Sequence, residues 1–113
     1  MNNMHLSPVE TQVIQLLGSY IDLPAIEGSD DVFAAIRKEL IDKLETLLHN
    51  DYEKLLWLLY RIDVDEEKAK ARLAADSATP PAAVLADLIL ERLLEKARSR
   101  INNPPAAPGD LAG

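Results

Sequence analysis

The sequence predicts an all-α fold, a compact bundle of four to five helices that are mostly antiparallel. Leucine and alanine dominate the apolar residues, and they recur at the i, i+3, i+4 spacing of amphipathic helices. No stretch alternates apolar and polar residues for long, and no Asn-Gly or Asp-Gly pair indicates a hairpin. A length of 113 residues suits a single domain, and short connections favour antiparallel neighbours.

Local signals predict the ends of the first two helices. Ser7 and Glu10 have the spacing of a capping box, in which each side chain bonds the backbone N–H of the other residue. Pro24 is expected to end this first helix. The second helix is predicted to start near Ser29 or Asp30 and to run to about His49.

The third and fifth helices are predicted to lie at the centre of the bundle. Apolar residues cover nearly the whole circumference of the third helix, which follows a predicted cap at Asn50, and such helices are usually packed on several sides. A short, alanine-rich fourth helix starts near Asp63 or Asp65 and is expected to be exposed and the least stable. The fifth helix is expected to begin after a cap at Thr79, with Pro80 in its first position.

Three segments follow from this pattern. Residues 1–6 are predicted to be a flexible N-terminus, and residues 7–101 form the helical bundle domain. Residues 102–113 contain prolines and alanines with almost nothing to bury, which predicts a disordered tail.

Composition excludes several classes of function. The chain has no cysteine, so disulfide scaffolds, cysteine nucleophiles and cysteine-ligated metals are ruled out. A net charge of -7 opposes nucleic-acid binding, which requires a basic face. The basic residues at the end of the fifth helix are explained more simply as partners of the helix dipole. A nucleic-acid-associated regulator acting through this basic end remains an alternative; the residues are Arg92, Lys96, Arg98 and Arg100.

The sequence predicts a cytoplasmic protein without a membrane-spanning segment. The first residues lack the charged and apolar regions of a signal peptide. The longest uninterrupted apolar run, Leu55 to Tyr60, has six residues. A membrane-spanning helix needs about 20. No cofactor is predicted.

Trp57, Tyr60 and Arg61 are the candidate binding residues. One interpretation is structural: an arginine within an apolar helix needs a partner, and Asp63 or Asp65 would form a half-buried ion pair with Arg61 or cap a helix. The other interpretation is that the three side chains are exposed together and contact a protein partner, because these residue types dominate interface hot spots.

No motif predicts catalysis or a metal site. The segment from Asp63 lacks the glycine that a calcium loop needs at its sixth position, which is Lys68. His49 lies four residues after Glu45, near a helix end, where a capping role explains it better than metal binding. A small-ligand binder or small enzyme with a pocket near Tyr60, Arg61 and His49 is the alternative.

Residues 50–101 resemble a family of small uncharacterised bacterial cytosolic helical proteins. The resemblance rests on three segments, Asp51–Leu55, Leu58–Val64 and Leu88–Arg92. It implies a helical fold and no known activity.

Together these observations predict a non-catalytic helical domain that acts through protein–protein contacts. Because two helices carry apolar residues on more than one face, a bundle of this size would struggle to cover both. A homodimer would cover them.

Overall fold

A computed structural model describes residues 7–22 and 31–102. These residues form five α-helices and no strand, which confirms the all-α bundle. The predicted flexible residues 1–6, Pro24, and the predicted tail apart from Asn102 lie outside the described residues. The helices are α1 (Pro8–Tyr20), α2 (Val32–Asn50), α3 (Tyr52–Ile62), α4 (Glu66–Ala75) and α5 (Pro81–Asn102).

Helix α5 lies at the centre of the bundle, as predicted. Ten of its 22 residues are buried, and it contacts each of the other four helices. From Ala82 to Leu90 every residue except Asp87 is apolar and buried, which is close to the pattern of a helix packed all round. The buried residues are Ala82, Ala83, Val84, Leu85, Ala86, Leu88, Ile89, Leu90, Leu93 and Ala97.

Helices α1 and α2 make the most extensive contacts with α5. Val13 and Leu17 of α1, and Leu40 and Leu44 of α2, are fully buried against it. Near the beginnings of α2 and α5, the guanidinium of Arg37 donates to both carboxylate oxygens of Asp87 at 2.8 and 3.1 Å. The core is therefore apolar, and this ion pair lies at its edge.

The helix starts follow side-chain capping. The predicted capping box of α1 is confirmed, with Ser7 Oγ accepting from the N–H of Glu10 at 3.1 Å and Glu10 Oε1 accepting from the N–H of Ser7 at 3.1 Å. Helix α2 begins at Val32, after the carboxylate of Asp31 caps it by accepting from the N–H of Ala34 at 2.9 Å. The predicted starting residues, Ser29 and Asp30, lie outside the described residues.

The predicted cap of α3 is wrong by one residue. Asn50 is the last residue of α2, and Asp51 both ends α2 and caps α3. The N–H of Asp51 donates to the carbonyl of Leu47, while its carboxylate accepts from the N–H of Lys54 at 3.1 Å. Because the side chain of Asp51 accepts the hydrogen bond from the third residue of α3, Asn50 is free to continue α2.

Helix α3 is not central, contrary to the prediction. It buries only one face, through Leu55, Leu58 and Ile62. Since α5 already occupies the centre, the 11 residues of α3 pack against it from one side. The apolar residues on its other faces are left toward solvent.

Helix α4 is exposed, as predicted, and Ala69 is its only buried residue. The predicted cap of α5 at Thr79 is wrong by one residue. The carbonyl of Pro80 accepts the first helical hydrogen bonds, from Ala83 and Val84. The hydroxyl of Thr79 instead donates to the carboxylate of Asp76 at 2.6 Å.

The central position of α5 predicts that two substitutions within this helix have very different effects on the free energy of unfolding. Leu93 is 0% exposed and Ile101 is 41% exposed. Leu93→Ala should lower the free energy of unfolding by about 2–5 kcal/mol, because a buried cavity is created. Ile101→Ala should lower it by less than about 1 kcal/mol, since this residue is already 41% exposed to water and its removal leaves no closed cavity. Urea unfolding measures both; equal losses would contradict the central position.

Candidate functional site

Exposed apolar side chains are concentrated on α3 and α4. Five of the six large hydrophobic residues that are exposed within the described ranges lie on these two helices. Tyr60 is 82% exposed and Trp57 is 51% exposed. We call this set the α3–α4 surface: Tyr52, Leu56, Trp57, Tyr60 and Leu73.

A groove of about 670 Å³ runs between α3 and α4 within this surface. Leu55, Ala69 and Leu85 are the buried residues that line it. Its other apolar lining residues are Leu48, Tyr52, Leu56, Leu59, Tyr60, Val64, Leu73 and Pro81. The groove therefore offers mainly apolar contact.

The two charged residues that line the groove are paired with each other. Lys70 Nζ lies 3.4 Å from Glu66 Oε2, one helical turn away on α4. An exposed pair of this kind contributes little to stability. Both side chains remain at the solvent edge of the groove, where they supply a polar border to an apolar interior.

Two parallel stripes form the outward face of α3. Residues four apart lie one above the other on a helix. The first stripe is Tyr52, Leu56 and Tyr60, which borders the groove. The second stripe is Glu53, Trp57 and Arg61, on the adjacent side of the helix.

Arg61 lies over Trp57 rather than in the predicted ion pair. Its guanidinium carbon is 5.2 Å from the centre of the Trp57 ring, within the range of a cation–π contact. Among the described residues, Arg61 makes no ion pair with Asp63, Asp65 or another acid. The prediction is wrong because Arg61 is on the exposed side of α3, where water replaces the partner that burial would require.

Asp63 is paired with Arg92 of α5 instead. Arg92 Nη2 donates to Asp63 Oδ2 at 3.1 Å, and its Nε donates to the Asp63 carbonyl at 3.0 Å. Asp63 ends α3 in the left-handed conformation, with φ 69°, which aspartate tolerates better than most residues. Of the two residues predicted to cap α4, Asp63 and Asp65, it is Asp65 that does so. Its carboxylate accepts from the N–H groups of Glu67 at 2.9 Å and Lys68 at 3.3 Å.

A second set of charges fastens α4 to α5. Arg72 donates to both carboxylate oxygens of Glu91 at 2.9 and 3.0 Å, and Lys68 Nζ lies 3.6 Å from the same carboxylate. The hydrogen bonds from Arg72 hold the pKa of Glu91 below its usual range. Lys68 and Glu91, with Asp63 and Arg92, line a charged hollow of about 370 Å³ beside the turn between α3 and α4.

Arginine side chains engage carboxylates of the charged hollow. Across residues 7–22 and 31–102, no three acidic or histidine side chains are grouped as metal ligands. Its carboxylates accept hydrogen bonds from Arg72 and Arg92. These contacts join helices, so the hollow has a structural role.

The alternative prediction, a ligand pocket near Tyr60, Arg61 and His49, stays a prediction, and the three side chains do not line the groove together. Of the three, only Tyr60 lines the groove. Arg61 is over Trp57, and His49 Nδ1 lies 2.8 Å from the carbonyl of Glu45, on the last turn of α2. That position agrees with the predicted capping role of His49.

The basic end of α5 is not an uninterrupted cationic face. Arg92 is held by Asp63 and by Glu95, the latter at 3.0 Å. Lys96 lies 5.8 Å from the centre of the Tyr20 ring. The remaining two residues of the cluster, Arg98 and Arg100, are exposed.

Comparison with family models, curated protein sequences and solved structures finds no match to this chain. The resemblance of residues 50–101 to a family of bacterial helical proteins therefore stays a prediction. Within the described ranges, no helix combines the length and apolar character needed to cross a bilayer.

Sequence reasoning found Trp57, Tyr60 and Arg61 but missed Tyr52, Leu56 and Leu73. A signal for two of these was available, because Tyr52, Leu56 and Tyr60 are spaced four apart. The sequence contains no such signal for Leu73, because the exposure of this side chain depends on how α4 packs. The pairs that join α4 and α3 to α5 were also missed, because their partners lie 19 and 29 residues apart.

The lowered pKa of Glu91 predicts an acid-sensitive contact between α4 and α5. Folded Glu91 takes up its proton at lower pH than unfolded Glu91. The ionised Glu91 contributes fully to the free energy of unfolding above the ordinary glutamate pKa of about 4.3. This contribution is lost as the pH falls through the lower pKa that Glu91 has in the folded protein.

When the pH falls from neutral to about 3, the Glu91→Gln variant should therefore lose less of its free energy of unfolding than the unmodified protein does. The difference should be about 0.2–1 kcal/mol, since both side chains of the Arg72–Glu91 pair are 41% exposed and solvent weakens the pair. Urea unfolding at the two pH values measures it. Equal losses would show that the ion pair contributes nothing.

Proposed function

We propose that this protein is a non-catalytic cytoplasmic helical domain that acts by binding another protein chain through the α3–α4 surface. The observation that carries the proposal is the grouping of five exposed apolar side chains on two adjacent helices. Single exposed apolar residues are ordinary on soluble proteins, whereas a grouped set is typical of an interaction site. Trp, Tyr and Arg, three of the residue types in or beside this set, are those most enriched in hot spots.

The α3–α4 surface is held in place before any partner binds. Leu55, Leu58 and Ile62 anchor α3 in the core, and Asp63 joins its end to Arg92 of α5. The aromatic side chains of α3 therefore project from a fixed helix rather than from a loop. Less of the binding free energy is therefore spent on ordering this surface than would be spent on ordering a mobile loop.

The groove supports a second candidate, the binding of a small apolar ligand. Its volume of about 670 Å³ falls within the range of ligand sites, roughly 300–1,000 Å³. Trp57 and Arg61 do not line the groove, so this candidate leaves them without a role. Protein binding uses both stripes of α3, which is why we favour it.

Photo-crosslinking tests the proposal in the cells that make the protein. A photoreactive benzoylphenylalanine in place of Tyr60 should form a covalent adduct with another polypeptide, because this side chain, 82% exposed, is the most exposed of the surface. The matched control carries the same group in place of Arg98, which is also exposed on a helix but outside the surface.

Adducts are measured by denaturing gel and mass spectrometry. The proposal predicts a discrete adduct from position 60, at least about tenfold weaker when Trp57→Ala removes a hot-spot side chain. Position 98 should give no discrete adduct. The proposal fails if position 60 gives none, or if both positions give the same adducts.

A further inference from the structure

We propose that the chain bound by the α3–α4 surface is a second copy of this protein, with the two α3 helices packed antiparallel across a two-fold axis near Leu56 and Trp57. This inference rests on the proposed function and names its partner. The size of the surface and the order of side chains along α3 support a second copy as the partner.

The exposed aromatic area of α3 supplies about half of what a stable dimer buries on each partner. Tyr52, Trp57 and Tyr60 are 56%, 51% and 82% exposed. A fully buried aromatic side chain covers about 150–250 Å², so these three leave roughly 400 Å² in water. A stable interface buries about 800 Å² on each partner. Leu56, Leu73 and the polar side chains around them supply further area toward that value.

The first stripe of α3 reads the same in both directions. A two-fold interface requires a patch that is complementary to its own rotated image. Tyr52, Leu56 and Tyr60 place a tyrosine on each side of a central leucine. With the axis near Leu56, each Tyr60 faces the Tyr52 of the other copy across the apolar centre.

The second stripe exchanges opposite charges under the same rotation. Glu53 and Arg61 lie four residues to either side of Trp57. In an antiparallel pair, Glu53 of each copy faces Arg61 of the other, and the two Trp57 side chains meet between them. The centres of the two stripes differ by one residue, which is about 1.5 Å along the helix and within the reach of these side chains.

Glu53 and Arg61 are available for such pairing. Among the described residues, neither forms an ion pair, although many other charged side chains do. Both are exposed. A parallel arrangement would instead place Glu53 beside Glu53 and Arg61 beside Arg61, and like charges would oppose it. The order of charges thus favours a second copy in the antiparallel orientation.

Charge reversal tests this arrangement on the full chain. Sedimentation equilibrium across a range of concentrations gives the dimer dissociation constant. Arg61→Glu, and separately Glu53→Arg, should each raise the constant about tenfold or more, because each creates two like-charge contacts. The double variant Glu53→Arg with Arg61→Glu should return it to within about threefold of the unmodified protein, since the pairs re-form with exchanged signs.

Arg98→Glu is the matched control, because it makes the same charge change at the exposed end of α5, outside the surface. It should leave the dissociation constant within about threefold of the unmodified value. Trp57→Ala should raise the constant by about 30-fold or more. Circular dichroism checks that each variant remains helical, so that loss of dimer is not loss of fold.

Engineered cysteines test the orientation, and the absence of native cysteine leaves no competing thiol. Leu56→Cys lies near the axis and should oxidise to a covalent dimer. Glu53→Cys should do so much more slowly, because its copy lies about 9–12 Å away along an antiparallel pair. Faster crosslinking of Glu53→Cys would overturn the antiparallel arrangement.

The outcomes separate this inference from the proposed function. A monomer at every concentration, with an adduct from position 60 to a different protein, overturns the dimer and leaves the function standing. A dimer unaffected by Arg61→Glu and Trp57→Ala overturns the assignment of the interface. A monomer that forms no adduct from position 60 overturns both.

Discussion

The burial of α5 on every side is the constraint on which the rest of the structure depends. Apart from Asp87, the residues from Val84 to Leu90 offer apolar side chains around the helix, so the other four helices must be arranged to cover them. Helices α1 and α2 do so with fully buried side chains such as Leu17 and Leu40. Helix α3 covers what remains with a single face. Because α3 is apolar on more than that face, its second apolar side is left toward solvent, and this geometry creates the α3–α4 surface.

The groove depends on how α4 is attached. Ala69 is the one buried residue of α4, so apolar burial alone holds this helix weakly. The hydrogen bonds from Arg72 to Glu91 tie it to α5, and Asp65 caps its first turn. These polar contacts fix α4 beside α3 without filling the space between them. An alanine-rich helix held by charges at its edge therefore leaves a groove, where a leucine-rich helix would have closed the core.

The sequence allowed the helical class, the capping box at Ser7 and the central position of α5 to be predicted, because each depends on local residue types or on periodicity. It did not allow the position of α3 to be predicted. An all-round apolar helix is compatible with a buried centre and with an exposed interface, and only the competition with α5 decides between them. The ion-pair interpretation of Arg61 was wrong for the same reason, since the need for an acidic partner follows only from burial. The true partner of Asp63, Arg92, lies 29 residues away and has no local signal.

Fluorescence quenching of Trp57 tests most directly the claim that α5 occupies the centre and leaves α3 facing outward. The chain has one tryptophan, so the signal reports this side chain alone. The folded protein is diluted until further dilution no longer changes the quenching of Trp57. Under this condition, acrylamide should quench Trp57 about half as efficiently as in urea-unfolded protein, in line with its 51% exposure. An emission that is blue-shifted and nearly insensitive to quencher at every dilution would place Trp57 in the core and contradict the account.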